Sequence, residues 1–339
     1  MTATLGISVR HDNDALICAF AFALGSAPQP IETLGAVSDA FERHCGGFVW
    51  VHVNLSHTGA QPWLERHAGV GPVFFEALTE GSRSTRIECD GDTLFGVMND
   101  VTFDFSFDPS DVATLWISVS PERVVTARRR PLRSVDRLRT SLRRGDRIET
   151  SVELLNHLLR DQADELQRIV RSAAERLDDI EDALLAGRHG EFNSELGRLR
   201  RLTVRLQRLL APEPSALART LSSPPSWVRA EDLQALHRSN EEFTLVLRDV
   251  GSLQDRIRLL LDESAARVSE ENNRSLFTLT MVTVLALPIN LIAGLLGMNV
   301  GGIPLAESRH GFWLMLLLIG GLTALIARFA VRRMRPSRS

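Results

Sequence analysis

Residues 276–304 read LFTLTMVTVLALPINLIAGLLGMNVGGIP. From Leu276 to Leu296 there is no formal charge, and about 20 such residues let a helix cross the hydrocarbon core of a bilayer. The run closes on a glycine-rich string, Gly294 to Pro304, holding one methionine and one asparagine. A second uncharged run, Gly311 to Ala327, follows closely and extends past Arg328 by Phe329 to Val331. Two such runs, so near each other, predict a membrane hairpin rather than a buried hairpin in a soluble core.

The flanks give an orientation. The tail after the second run, VRRMRPSRS, is strongly basic, whereas Glu307 and Arg309 are the formal charges of the connecting loop. Basic residues stay on the cytosolic side, so both termini are expected there and the loop faces outward. Trp313 fits an interfacial anchor. The N-terminus lacks a basic segment followed by an apolar core, which predicts no secretory signal and a cytosolic first domain.

Within the first run, Asn273, Thr280, Asn290 and Gly294 share one stripe at heptad steps. Leu276, Thr283 and Leu287 fill the remaining positions of that seam. Hydrocarbon offers polar groups no partners, so the stripe should face other helices or water. Two spans cannot enclose a path, and a symmetric ring of first spans can. Leucine rings would then gate by dewetting between threonine and asparagine rings. The competing reading makes Thr and Asn interhelical glue. Pro288 frees a carbonyl near Val284, either to face water or to mark a kink.

Upstream, the pattern is that of an α+β protein. LICAFAFA (16–23) and GFVWVHVNL (47–55) read as strands, bounded by turn residues. Asp90-Gly91 and Ser120-Pro121-Glu122 each separate two such runs as hairpin turns. A short helix is expected near 71–81. After Pro131 a charged helical pattern begins, with Leu154, Leu155, Leu158, Leu159, Leu166, Ile169 and Val170 at helical spacing. AGRHGEF (186–192) breaks it, a second helix runs to about Leu210, and four prolines in 211–227 end the hairpin. No proline then appears until Pro288, which predicts one helix from about 227 to 296, roughly 105 Å long. The expected division is a cytosolic α/β domain (1–130), a charged helical hairpin (131–225), the cytosolic part of a stalk helix (226–274), a pore-lining first span (275–297), an outer loop (298–310), a second span (311–331) and a basic tail (332–339).

Composition excludes several classes. A net charge of −3 gives no general attraction for nucleic acid. The basic stretch 128–147 reads as a salt-bridge partner for neighbouring acidic helices in an oligomer rather than for a polynucleotide. Every basic side chain other than histidine is arginine. Three cysteines without close spacing argue against disulfides or a zinc finger, and His44-Cys45, His52 and His57 lack structural zinc spacing. No phosphate loop, nucleophile elbow or metalloprotease motif is present, so an enzyme is not expected. Acids crowd the helices; the functional reading is a cytosolic cation reservoir or sensor, and the alternative is a surface paired with arginines at i+3 or i+4. Asp262, Glu270 and Glu271, nearest the membrane, are the candidate cytosolic metal sites.

Gly297-Met298-Asn299 at the outer end of the first span, in this order of parts, resembles the CorA family of divalent-cation transporters over essentially the whole chain. Leu296 stands where the magnesium branch usually has tyrosine, and VGGIP (300–304) replaces its Met-Pro-Glu-Leu run. In this the chain is similar to the zinc-associated ZntB branch. The resemblance implies a homopentamer with a funnel-shaped cytosolic part in the bacterial inner membrane. It implies Zn²⁺ as transported cargo with no permanently bound cofactor, and uptake coupled to protons. No ionisable residue lies within either span core to relay a proton. A ring of Asn299 amides would hydrogen-bond the hydrated cation without holding it too tightly to leave. Gly297 permits close approach or an unusual backbone, and Met298 is packing. Magnesium or cobalt transport is the alternative within the family; a membrane-anchored oligomeric scaffold is the alternative outside it.

Overall fold

The computed structural model describes residues 14–43, 46–80, 85–108, 110–186, 192–297 and 310–334. They fall into two compact units, Met1–Leu261 and Asp262–Ser339.

In the first unit, β1 (Leu16–Ala23), β2 (Gln29–Ile31), β3 (Gly47–Asn54), β4 (Arg86–Asp90), β5 (Thr93–Val101), β6 (Val112–Val119) and β7 (Arg123–Arg128) form one sheet, ordered β2-β1-β3-β7-β6-β5-β4. Only β3 and β7 pair in parallel; the other neighbours are antiparallel. Both expected hairpins form, and Gly91 adopts the positive φ (59°) that the tight β4–β5 turn requires.

Alternate residues of each central strand feed two cores. Val49, Val51, Val53, Phe95, Val97, Trp116 and Val125 pack with α1 (Leu34–Glu42), with α2 (Ala60–Trp63) and the π-helical turn continuing it (Leu64–Ala68), and with α3 (Pro72–Glu80). Phe48, Trp50, Leu94, Met98, Leu115, Ile117 and Val124 pack with α4 (Arg133–Arg144), the start of α5 (Ser151–Leu185), α7 (Pro212–Leu221) and the start of α8 (Ala230–Leu296). The sheet and residues 131–225 therefore share a core. Leu158, 1% exposed, sits in it. Leu158→Ala is expected to cost about 2–5 kcal/mol, read by denaturant unfolding.

Farther along, α5, α6 (Phe192–Leu210) and α8 pack as three helices. Leu166, Ile169, Leu177 and Ile180 meet Leu196, Leu199, Leu202 and Leu206, with Phe243, Val250, Leu253 and Ile257 from α8. The predicted apolar stripe of α5 is buried, with Val170 partly so. Thr150 caps α5 by accepting from Glu153 N–H at 3.0 Å. Gly145, at φ 99°, ends α4 in the left-handed conformation. The proline-rich stretch does end α6, but it also forms α7. Pro212 stands at the helix start, where its missing N–H costs nothing.

The acidic helices are paired mainly between elements rather than along one helix. Arg133 of α4 and Arg168 bind Glu165, Arg137 reaches Asp161 and Asp164, and Arg256 of α8 bridges Asp178 (2.7 Å) and Glu181 (2.9 Å). This gives the basic stretch its partners within the chain. His52 is a core residue: Arg128 Nε donates to its Nε2 (3.2 Å), which leaves Nδ1–H to donate to Thr126 Oγ1 (2.8 Å). Burial, then Arg128 and Arg139, hold its pKa well below the ordinary range. His57 Nδ1 accepts from Gly59 N–H at 3.0 Å. Among the described residues, no group of three or more His, Cys, Asp or Glu is arranged to hold a metal ion.

The second unit holds the remainder of α8, from Asp262, and α9 (Gly311–Met334). Its surface is unlike that of a water-soluble protein. Leu276, Leu279, Val282, Leu287, Leu291, Phe312, Trp313 and Leu317 are all exposed.

Candidate functional site

Among the described residues one helix, spanning Ala230–Gly294, is long and apolar enough to cross a membrane, and none of its apolar window is buried. A shorter apolar helix covers Gly311–Ile326. An exposed apolar surface of this extent requires a non-aqueous partner.

The exposure is uneven in a useful way. Among the described side chains from Leu276 onward, the less exposed large ones on α8 are Met281, Leu285 and Ile292; on α9 they are Met315, Ile319 and Ile326, with Thr323 between. The steps, four and seven on α8 and four, four and three on α9, are those of a helix face turned toward a neighbour. Sequence reading missed this face because an all-apolar span gives it no contrast of polarity. The only signal was the spacing itself.

The predicted seam lies elsewhere. Asn273, Leu276, Thr280, Thr283, Leu287, Asn290 and Gly294 are all exposed, with Leu276 at 62% and Leu287 at 67%. At about 100° per residue the seam is centred roughly 150° around α8 from the half-buried face. The structure thus brings these seven predicted residues onto one uncovered stripe. Thr280 Oγ1 donates to Leu276 O (2.8 Å) and Thr283 Oγ1 to Leu279 O (3.0 Å). Each hydroxyl proton is spent on its own helix, and the oxygen lone pairs are turned outward as acceptors. The helix continues through Pro288.

Gly294 has nothing within 4 Å of where a Cβ would sit. At Gly297 a Cβ would stand 3.1 Å from Ala293 O, and the Gly297 N–H donates to that same oxygen at 2.9 Å. Gly297 is not among the glycines with positive φ, so the unusual backbone expected of it is not adopted. Met298 and Asn299 lie outside the described residues.

Asp262, Glu270 and Glu271 are exposed on α8 but do not share a face. Asp262 precedes Asn273 by eleven residues, three turns, and so falls on the seam. Glu270 and Glu271 lie off it, by roughly 110° and 150° respectively. One helix therefore does not gather the three into one site.

A family model described as CorA-like Mg²⁺ transporter protein matches residues 46–333. The chain belongs to the CorA family. Its relatives within that family include the divalent cation transporter CmaX of Pseudomonas aeruginosa, 30% identical over 85% of this chain and 87% of that one. The zinc transport protein ZntB of Pectobacterium carotovorum is 23% identical over 80% and 84%. The solved structure of full-length CmaX superposes with a TM-score of 0.77 at 27% identity, covering 95% of this chain and 98% of that one. The CorA magnesium transporter from Methanocaldococcus jannaschii gives 0.75 at 20% identity over 94% and 97%, a likeness of fold. CorA-type architecture, an α/β layer followed by one long helix, is thus common to this chain and its relatives. The family is one of transporters, not of enzymes.

Proposed function

We propose that this chain carries divalent cations, zinc by preference, through a central pore lined by α8 of five identical copies in the bacterial inner membrane. The observation that carries this reading is the uncovered stripe from Asn273 to Gly294, turned away from the half-buried face of α8. A stripe of asparagine and threonine on lipid would be costly; around a shared axis it lines water. Leu276 and Leu287 form the apolar constrictions. Gly297, Met298 and Asn299 form the outer mouth, and Asn299 is the contact for the hydrated ion. Both α8 and α9 span the bilayer, the basic tail and the first unit lie in the cytosol, and uptake runs inward. A dication gains about 4.6 kcal/mol from a 100 mV potential, so energy alone does not demand proton coupling.

Zinc is favoured over magnesium or cobalt by the VGGIP continuation and by the zinc-transporting relatives, against the magnesium description of the family model. Flux into proteoliposomes separates these cargoes: zinc entry exceeding magnesium and cobalt entry is expected, and entry of none would overturn the transport reading. An inward pH gradient that accelerates zinc entry would establish coupling. The lining is tested independently in a cysteine-free background. Cysteine at Thr283 or Asn290 should react with a membrane-impermeant thiol reagent and stop flux; cysteine at Leu285 or Ile292 should not react. The opposite pattern would rule this face out as the pore.

A further inference from the structure

We propose that Glu213, Gln162 and Asn99 form a proton-dependent joint that seats α7 against the edge of the sheet, tight when it holds a proton and loosened when it loses one. The joint sits where the sheet ends early. The last β4–β5 pair is Arg86 with Val97, so the backbone of Asn99 extends beyond the edge strand. Side chains complete the edge instead. Gln162 of α5 donates from Nε2 to Asn99 O at 2.6 Å and to the carboxylate of Glu213, in the first turn of α7, at 3.2 Å. The Asn99 amide donates to Thr85 Oγ1 (2.8 Å) and to Leu209 O at the end of α6 (3.3 Å). Three helices are tied to one residue of β5, α7 by way of Gln162.

The joint has more acceptors than donors. Glu213 is 1% exposed; its Oε2 accepts from Gln162 Nε2 at 3.2 Å, while its Oε1 is buried with no hydrogen-bond partner. Gln162 Oε1 is also buried and unpartnered. Reversing the Gln162 amide would set its oxygen against Asn99 O, so the observed orientation is the workable one. A proton on Glu213 is the donor this cluster lacks.

The surrounding charges agree. On β5, Asp100 is a second buried carboxylate, but it accepts from Val101 N–H (2.7 Å), Ser134 N–H (3.0 Å) and Ser134 Oγ (2.6 Å). On α5, Glu165 is held by Arg133 of α4 and by Arg168. Glu213 has neither that supply of donors nor an arginine among its hydrogen-bond partners. Burial first, then repulsion from Asp100, push it up to about 8, against the hydrogen bond from Gln162. Asp100 is pushed up to about 6, mainly by burial.

The sign follows from linkage. A carboxyl whose folded pKa is raised takes up a proton on folding, so its contribution is most favourable below the unfolded value, near 4.5, and is lost as pH rises to about 8. Between those limits the folded-to-unfolded ratio falls about tenfold per pH unit on account of this group. Glu213→Gln supplies a permanent donor of the same shape. In full-length protein in detergent, the wild-type melting temperature should fall more steeply from pH 6 to pH 9 than that of Glu213→Gln. The variant should also be the more stable protein at pH 9. Parallel profiles would overturn the proposal. Infrared spectra of the full chain provide a readout that does not depend on that variant folding. A protonated-carboxyl band should persist above pH 7, titrate near pH 8 and survive Asp100→Asn; its absence at pH 7 would equally overturn the proposal.

Discussion

Asn299→Ala should reduce zinc flux through reconstituted protein by about tenfold or more while leaving the oligomer intact. The argument is one of contact energy. A hydrogen bond to a charged group contributes about 1.5–3 kcal/mol, and about 1.4 kcal/mol is a factor of ten. Five amides at the mouth would each offer an oxygen to the water shell of the incoming cation, and alanine offers none. Asn299→Asp separates recruitment from release. A ring of carboxylates should bind the dication more tightly and let it go more slowly, lowering both the half-saturating concentration and the maximal rate. Unchanged flux in Asn299→Ala, with the oligomer verified by size, would remove this residue from the path.

A second large effect is expected at Leu287. On the proposed axis, Leu287→Lys places five ammonium groups around one of the two apolar constrictions. At roughly 8 Å and the dielectric of water, each repels a dication by about 1 kcal/mol, so the ring adds about 5 kcal/mol. That corresponds to between three and four decades of rate, and zinc flux should vanish into background. Leu287→Gln carries a polar group of similar size without the charge, and should retain or raise flux by wetting the constriction. Loss of flux in both variants would point to damage to the helix rather than to a charge in a pore.

Much of this organisation could be read directly from residues. The strands announced themselves as short, nearly continuous apolar runs between turn residues because both faces of the sheet are covered, so each of Val49, Trp50 and Val51 had to be apolar. The long helix was legible from an uninterrupted absence of proline, and the seam from its 3.5-residue period. Short elements were not. β2 is three residues with Pro30 at its centre, tolerable at an edge and invisible as a pattern. Pro212 and Pro214, which open α7, read as a terminator because proline both ends one helix and begins the next. The partners of the acidic side chains escaped notice for a different reason. Arg256 lies 78 residues from Asp178 in sequence, and only the packing of α5 against α8 brings them together. Likewise, Glu213 lies 51 residues from Gln162 in sequence, and only the fold brings the two together.

The threonine geometry carries a consequence for the sign of the permeant ion. With their protons committed to Leu276 O and Leu279 O, the hydroxyls of Thr280 and Thr283 can offer electron density but no hydrogen. At those two levels of a shared conduit, chloride would find nothing to replace its lost waters, whereas a hydrated metal would meet a collar of oxygens. Anion rejection would then be written into the backbone hydrogen bonding of an electrically neutral wall, without a single carboxylate in the bilayer.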